Sequence, residues 1–184
     1  MDKIGIKAPA KINLFLDIVG KLQNGYHEIK SVMQTVDLFD YVKVEKSDEI
    51  TVDCNNNAPE GENNIAFKAA KLFLEESGIS AKINIFIEKN IPIAAGLAGG
   101  STDAAGVLKL MNRLFNVNAD DEELRTLGLK LGADVPYCIN GGTALCEGIG
   151  EKITQLKPFK DKIVVIVKPP FGVSTKDVFI SRTI

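Results

Sequence analysis

Cysteine is scarce: Cys54, Cys138 and Cys146 are odd in number and lack Cys-x-x-Cys spacing, which argues against a disulfide framework or a zinc site and predicts free, buried thiols. An excess of one charge is lacking too. With 22 Lys and Arg against 24 Asp and Glu the formal net charge is −2, so the chain carries no electrostatic footprint for nucleic acid or an anionic membrane. There is no long apolar run and no signal segment, an absence that points to a soluble cytoplasmic protein. Repeats and low-complexity tracts are also missing. What remains is 184 residues with 45% hydrophobic content, enough for one large domain or for one domain and a fragment of another.

The most informative stretch is Pro92 to Gly106, Pro-Ile-Ala-Ala-Gly-Leu-Ala-Gly-Gly-Ser-Thr-Asp-Ala-Ala-Gly, which passes from small residues into the start of a helix. Gly96, Gly99 and Gly100 permit backbone conformations that other residues resist, and the lack of bulk lets an anion approach successive N–H groups. Ser101, Thr102 or Asp103 is placed to cap the helix, whose Ala104, Val107, Leu108, Met111 and Leu114 recur at helical spacing. The helix start adds unpaired N–H donors and the positive end of its dipole. Two common phosphate loops are excluded by spacing. Gly100 is followed by Ser101-Thr102 with no P-loop lysine, and Gly-x-Gly-x-x-Gly is absent. A small-residue turn packed closely on a strand has the same composition and stays open at this point.

From the N-terminus, Lys3 to Val19 reads as two strands broken near Ala8-Pro9-Ala10, with Lys11 and Asn13 on one face of an otherwise apolar run. A polar turn ending in Asn24-Gly25 delivers Tyr26 and His27, the only histidine. Ile29 to Val36, Asp40 to Glu45 and Ile50 to Asp53 read as strands of a meander. Asn63 or Asn64 caps a helix with Ile65, Ala69, Leu72 and Phe73 on one face, ended by Gly78. Lys82 to Lys89 alternates as a strand and leads into the small-residue stretch. Asp120 to Leu131 is a second amphipathic helix with acidic residues at its start. It is followed by Gly132-Ala133-Asp134-Val135-Pro136, where a carboxylate among apolar neighbours calls for a partner. Thr143 to Cys146 and Ile163 to Lys168 complete the expected strands.

Taken together, and in this order, Pro9-Ala10-Lys11-Ile12-Asn13-Leu14, Gly25-Tyr26-His27, Pro92 to Ala105 and Gly132-Ala133-Asp134-Val135-Pro136 closely resemble the GHMP small-molecule kinases. The resemblance implies an α/β (α+β) fold of the ribosomal protein S5 domain 2-like type, a mixed, mainly antiparallel sheet with helices packed on it. It implies an ATP-binding N-terminal domain over residues 1–168 and the start of a truncated C-terminal domain over 169–184. ATP and Mg2+ are the implied cofactors, with the phosphates on Pro92, Ile93, Ala94, Ala95, Gly96, Leu97, Ala98, Gly99, Gly100, Ser101 and Thr102, Asn64 near adenine and Lys89 beside the nucleotide. Lys11 and Asp134 are the implied catalytic pair. Asn13 and His27 would hold the acceptor, Tyr26 would stack on a cytosine ring, and Phe179 would be a further cytosine-side contact.

These residue types suit phosphoryl transfer. A carboxylate can orient an alcohol and take its proton while an ammonium steadies the transferring phosphoryl group. Ala94, Ala95 and Ala98 stand where more glycine-rich loops of the superfamily have glycine, and alanine still leaves room for phosphate. Within the family, Gly25-Tyr26-His27 favours a cytidine diphosphate-linked methylerythritol, phosphorylated on its 2-hydroxyl in isoprenoid precursor synthesis. Homoserine, mevalonate or a sugar is the alternative acceptor, and a non-catalytic nucleotide- or RNA-binding module on the same fold is the other class. No nucleic-acid or membrane partner is expected, and homo-oligomerisation is left open.

Overall fold

A computed structural model describes residues 2–23, 25–55, 58–59 and 61–169. In chain order the elements are β1 (Lys3–Lys21), β2 (His27–Lys46), β3 (Thr51–Cys54), α1 (Ile65–Ser77), β4 (Ile83–Glu88), α2 (Gly99–Leu114), α3 (Asp121–Leu131), α4 (Val135–Asn140), β5 (Thr143–Gly148) and β6 (Lys152–Gln155). They form the expected mixed α/β architecture: a six-stranded sheet in the order β3-β4-β2-β5-β6, with β1 also on β2. Every pairing is antiparallel except β3 with β4.

Strand β2 is the axis of this sheet. One edge pairs with β1, from Lys21↔His27 to Lys3↔Glu45. The other is shared: β5 takes Ile29 to Gln34 and β4 takes Tyr41 to Lys46. Between them Thr35 to Asp40 has no strand partner on that side among the described residues, and the segment leaving β4 crosses at this opening. The alternation Ile83, Ile85, Ile87 on β4 and Val42, Val44 on β2 is fully buried under the helices, where it meets Phe73 of α1 and Leu108 and Met111 of α2. Burying such side chains stabilises by about 1.5–3 kcal/mol each relative to leaving them exposed.

Several expectations change. Lys3 to Val19 is one strand, because the chain absorbs Ala8-Pro9-Ala10 as a register shift between Pro9 and Lys11. The two strands expected between Ile29 and Glu45 are likewise one, and there is no meander, since β3 pairs in parallel with β4. Pro136 starts a helix: it lies in the first turn of α4, where its missing N–H costs nothing. Ile163 to Lys168 forms no ladder among the described residues. Its exposure alternates as in a strand, 97% at Ile163, 41% at Val164 and 83% at Val165, but alternation makes a strand only when a neighbouring edge accepts its hydrogen bonds.

Helix ends follow local rules where a polar side chain is available. Asn64 caps α1 by accepting from Ala66 N at 2.9 Å, Gly78 closes it at φ 65°, and Asp120 with Glu123 forms a reciprocal capping box on α3. Helix α3 packs against α4 through Gly128, where an added Cβ would lie 2.8 Å from Val135 Cγ1. Val135 is fully buried and stiff at χ1, so it has nowhere to retreat. Gly128→Ala should therefore destabilise by on the order of 1 kcal/mol, the overpacking cost outweighing a gain of about 1 kcal/mol in helix propensity. A rise in the urea midpoint would show that the contact is not tight.

Candidate active site

The small-residue stretch leaves β4, crosses the opening on β2 and enters α2. Positive φ recurs at every second position, Ala94 at 54°, Gly96 at 71° and Ala98 at 58°, the kind of alternation on which anion-binding backbone nests are built. Two of the three alanines thus stand in the left-handed region, a local strain that the surroundings must hold. The cap differs from expectation. Helix α2 begins at Gly99, behind Ala98, with no side-chain cap; Ser101 and Thr102 lie inside the first turn and Asp103 just past it. The earliest N–H groups of α2 are therefore left to a ligand or to water.

The stretch is tied to β1. At the register shift after Pro9, Lys11 donates its backbone N–H to Leu97 O at 3.1 Å. Ala10, Ile91 and Leu97 are buried together beneath it. The Lys11 side chain, 6% exposed, points to Asp134, with Nζ 3.5 Å from Oδ2. Lys11 Nζ also lies 3.5 Å from Asn13 Oδ1, which accepts from Ser31 Oγ at 3.2 Å, as expected of two residues on one strand face. Asp134 is the residue before α4 but does not cap it, so its carboxylate faces the cleft at 35% exposure.

A second set of bonds holds α4 in place. Tyr137 Oη donates to Gly142 O at 2.7 Å and lies 3.1 Å from Thr35 Oγ1. Thr35 is paired with Lys11 across the strands, so α4 and the lysine share one reference point. The resulting cleft, about 840 Å³, is lined by Lys11, Asn13, Asn64, Lys89, Pro92 to Gly100, Asp103 and Asp134. Ile166 to Pro169 also contribute to its wall.

Other expected site residues are distributed differently. Asn64 is buried and its amide is engaged, donating to Pro59 O at 2.8 Å as well as capping α1. Lys89 lines the cleft, but its ammonium is held between Asp40 and Asp103. Tyr26 and His27 are not among the cleft-lining residues. They lie at the β1–β2 tip, six residues along β2 from Met33, the partner of Asn13, which is about 20 Å of strand. Tyr26 is 57% exposed. Ser101 and Thr102 follow the cleft-lining run, Thr102 being buried. Phe179 lies outside the described residues.

Sequence reasoning missed Asp40, Asp103, Thr35 and Tyr137. The one available signal was a carboxylate inside an apolar pattern: Asp40 is fully buried within β2, and Asp103 is buried among Ala104, Val107 and Leu108. Asp40 Oδ1 accepts from Asn90 N at 2.6 Å and Ile91 N at 2.8 Å, and Oδ2 receives Lys89 Nζ. Asp103 Oδ2 lies 2.6 Å from the same ammonium, while Oδ1 has no hydrogen-bond partner among the described residues. Burial pushes the Asp103 carboxyl up to about 8, against the opposing pull of Lys89. Cys138 and Cys146 are held up to about 12 by burial, which leaves them as protonated thiols.

Residues 64–142 match the family described as GHMP kinases N terminal domain. A 4-diphosphocytidyl-2-C-methyl-D-erythritol kinase of Clostridium beijerinckii is 67% identical over 176 residues, 95% of this chain and 63% of that protein. The enzyme of the same name from Clostridium perfringens is 59% identical over 95% of this chain and 62% of that protein. The chain thus spans a little under two thirds of the length of these curated relatives. Among solved structures, a 4-(cytidine 5'-diphospho)-2C-methyl-D-erythritol kinase superposes with a TM-score of 0.71 at 37% identity, over 83% of this chain and 55% of that one. The Methanococcus jannaschii mevalonate kinase, at 19% identity and a TM-score of 0.67 over 84% of this chain and 56% of that one, shares the fold. Among the described residues no helix is long and apolar enough to cross a membrane.

The raised Asp103 carboxyl gives a stability test. The folded state favours the protonated form, so its contribution is complete below the ordinary value of 3.8 and is lost as pH rises toward about 8. Asp103→Asn should flatten the fall in stability across that window, read from urea midpoints at several pH values. An unchanged slope would assign the pH dependence elsewhere.

Proposed function

We propose that the chain, whose residues 64–142 match the GHMP kinases N terminal domain, is a member of that family and provides the nucleotide-binding and phosphoryl-transfer site of an ATP-dependent kinase acting on an alcohol. The observation that carries this is the Lys11–Asp134 pair beside the uncapped loop, with the Lys11 backbone bonded to Leu97 of that loop. One strand thereby sets both the phosphate site and the reacting groups. Residues 1–168 form the unit that holds this site.

The N–H groups of the loop and the start of α2 receive the ATP phosphates. Asp134 accepts the proton of the attacking hydroxyl, and Lys11 balances charge on the transferring phosphoryl group. Asn13, steadied by Ser31, sets the direction of the Lys11 side chain. A magnesium ion carried by phosphates keeps mostly phosphate and water oxygens, which fits a cleft whose exposed carboxylate is Asp134 and needs no cluster of ligating side chains. When bound it supplies charge neutralisation at the phosphates, and Asp134 is the side chain that would stand beside it.

For the acceptor we propose a cytidine diphosphate-linked methylerythritol, the substrate in the names of the relatives at 67% and 59% identity. Such a molecule places base, ribose, diphosphate and polyol in line. That extended shape suits a site running from the catalytic pair along β1 and β2 toward the exposed Tyr26 ring, with His27 beside it. The 19% identity to mevalonate kinase gives no comparable support for mevalonate. We place the protein in the cytoplasm, where ATP is available.

Asp134→Asn should lower phosphoryl transfer from ATP by about 10²–10⁴-fold, the range for a positioned general base, with ATP affinity nearly unchanged. Comparable turnover in the variant would remove Asp134 from the chemistry. Tyr26→Ala should raise KM for the cytidyl acceptor about tenfold, as loss of one stacked base does, without altering KM for ATP. Phosphorylation of mevalonate or homoserine in preference to the cytidyl compound would overturn the acceptor assignment.

A further inference from the structure

Thirteen residues, 90–102, make up the loop and the first turn of α2, and they lie between Lys89 and Asp103. Those two side chains meet in the interior, with Lys89 8% exposed, Asp103 3% and Asp40 not at all. Lys89 Nζ contacts one oxygen of each carboxylate. Asp40 uses its other oxygen to hold the N–H groups of Asn90 and Ile91, the first two residues of the loop. Gly99, the first residue of α2, lies directly over this group: an added Cβ would stand 3.2 Å from Lys89 Nζ and 3.1 Å from Ile91 Cγ2. Both ends of the loop are thus fixed to one ammonium.

We propose that Asp40, Lys89 and Asp103 form a positioning clasp that sets the spacing of the phosphate loop without touching the nucleotide. This rests on the reading of Pro92 to Thr102 as the ATP phosphate site. Three buried charged groups are a costly way to join a strand to a helix, since apolar side chains of similar size hold such elements as stably. What the ammonium adds is direction. Two short bonds define where the end of β4 stands relative to the start of α2, and the strained Ala94 and Ala98 between them need ends that do not drift.

The charge balance agrees with this role. Burial pushes the Asp103 carboxyl up to about 8, so the clasp sets less negative charge behind the phosphates than an ordinary carboxylate at that position would. The groups facing Asp103 are Lys89, Asp40 and, from β3, Cys54, whose thiol is itself raised by burial. Lys89 therefore acts through the backbone of the loop, not as a cation offered to the nucleotide.

The test measures binding of AMP-PNP and of adenosine to the chain by calorimetry, with thermal unfolding alongside. Asp40→Asn/Lys89→Met/Asp103→Leu removes all three charges and keeps the volume, and the amide oxygen at position 40 can still accept from the Asn90 and Ile91 N–H groups. The clasp predicts an unfolding midpoint within about 5 °C of the parent. AMP-PNP affinity should fall about tenfold or more, the cost of misplacing a preorganised site, and adenosine affinity should be unchanged. Asp103→Asn preserves an acceptor for Lys89 and should keep the parent's preference for AMP-PNP over adenosine. Equal weakening of both ligands, a retained preference in the folded triple variant, or loss of preference in folded Asp103→Asn would each overturn the clasp. A parent chain that does not prefer AMP-PNP to adenosine would overturn the phosphate-loop reading, and the clasp with it.

Discussion

The ammonium of Lys89, buried between Asp40 and Asp103, is the point on which the site is assembled. Each partner comes from a different part of the fold: Asp40 from the central strand, Lys89 from the residue after β4, and Asp103 from just past the first turn of α2. Breaking a buried ion pair by removing one member typically costs about 3–5 kcal/mol, because the remaining charge is left without compensation. The interaction is therefore unforgiving of small shifts. Loop residues between Lys89 and Asp103 inherit that definition, and so does the helix start whose N–H groups are left to a ligand.

The opening on β2 explains why the site lies where it does. Strands β4 and β5 share one edge of β2 and leave Thr35 to Asp40 between them. The loop passes through this opening and meets β1 at the one place where a register shift turns the Lys11 N–H out of the ladder toward Leu97. Thr35, opposite Lys11, also holds Tyr137 of α4, so Asp134 and Lys11 are referred to the same rung. A proline-adjacent irregularity in one strand and an edge shared by two others together bring Lys11, Leu97 and Asp134 to one place.

Much of this was legible in residue order. The alternation of Ile83, Ile85 and Ile87, the helical spacing from Ala104 to Leu114, and the caps at Asn64 and Gly78 depend on neighbours within a few positions, and all appear as expected. Lys11 and Asn13 share a face because strand side chains alternate. Where the sequence reading went astray, the decision was remote. Ala8-Pro9-Ala10 reads as a break until β2 pairs across it, and Ile163 to Lys168 reads as a strand although no described edge receives it. Ser101, Thr102 and Asp103 read as caps, but Asp103 is drawn inward by an ammonium fourteen residues earlier in the chain.

By itself the sequence determined the periodic elements, the small-residue stretch leading into a helix and the ordered motifs that resemble the GHMP kinases, because each depends on local spacing and side-chain chemistry. Tertiary structure alone decided that Lys11 meets Asp134 across 123 positions of chain, that Lys89 turns inward to two carboxylates, and that Tyr26 and His27 stand at the far end of the hairpin. Ion pairing and burial act through space at a few ångströms, a range that residue order does not encode until the sheet has set its register.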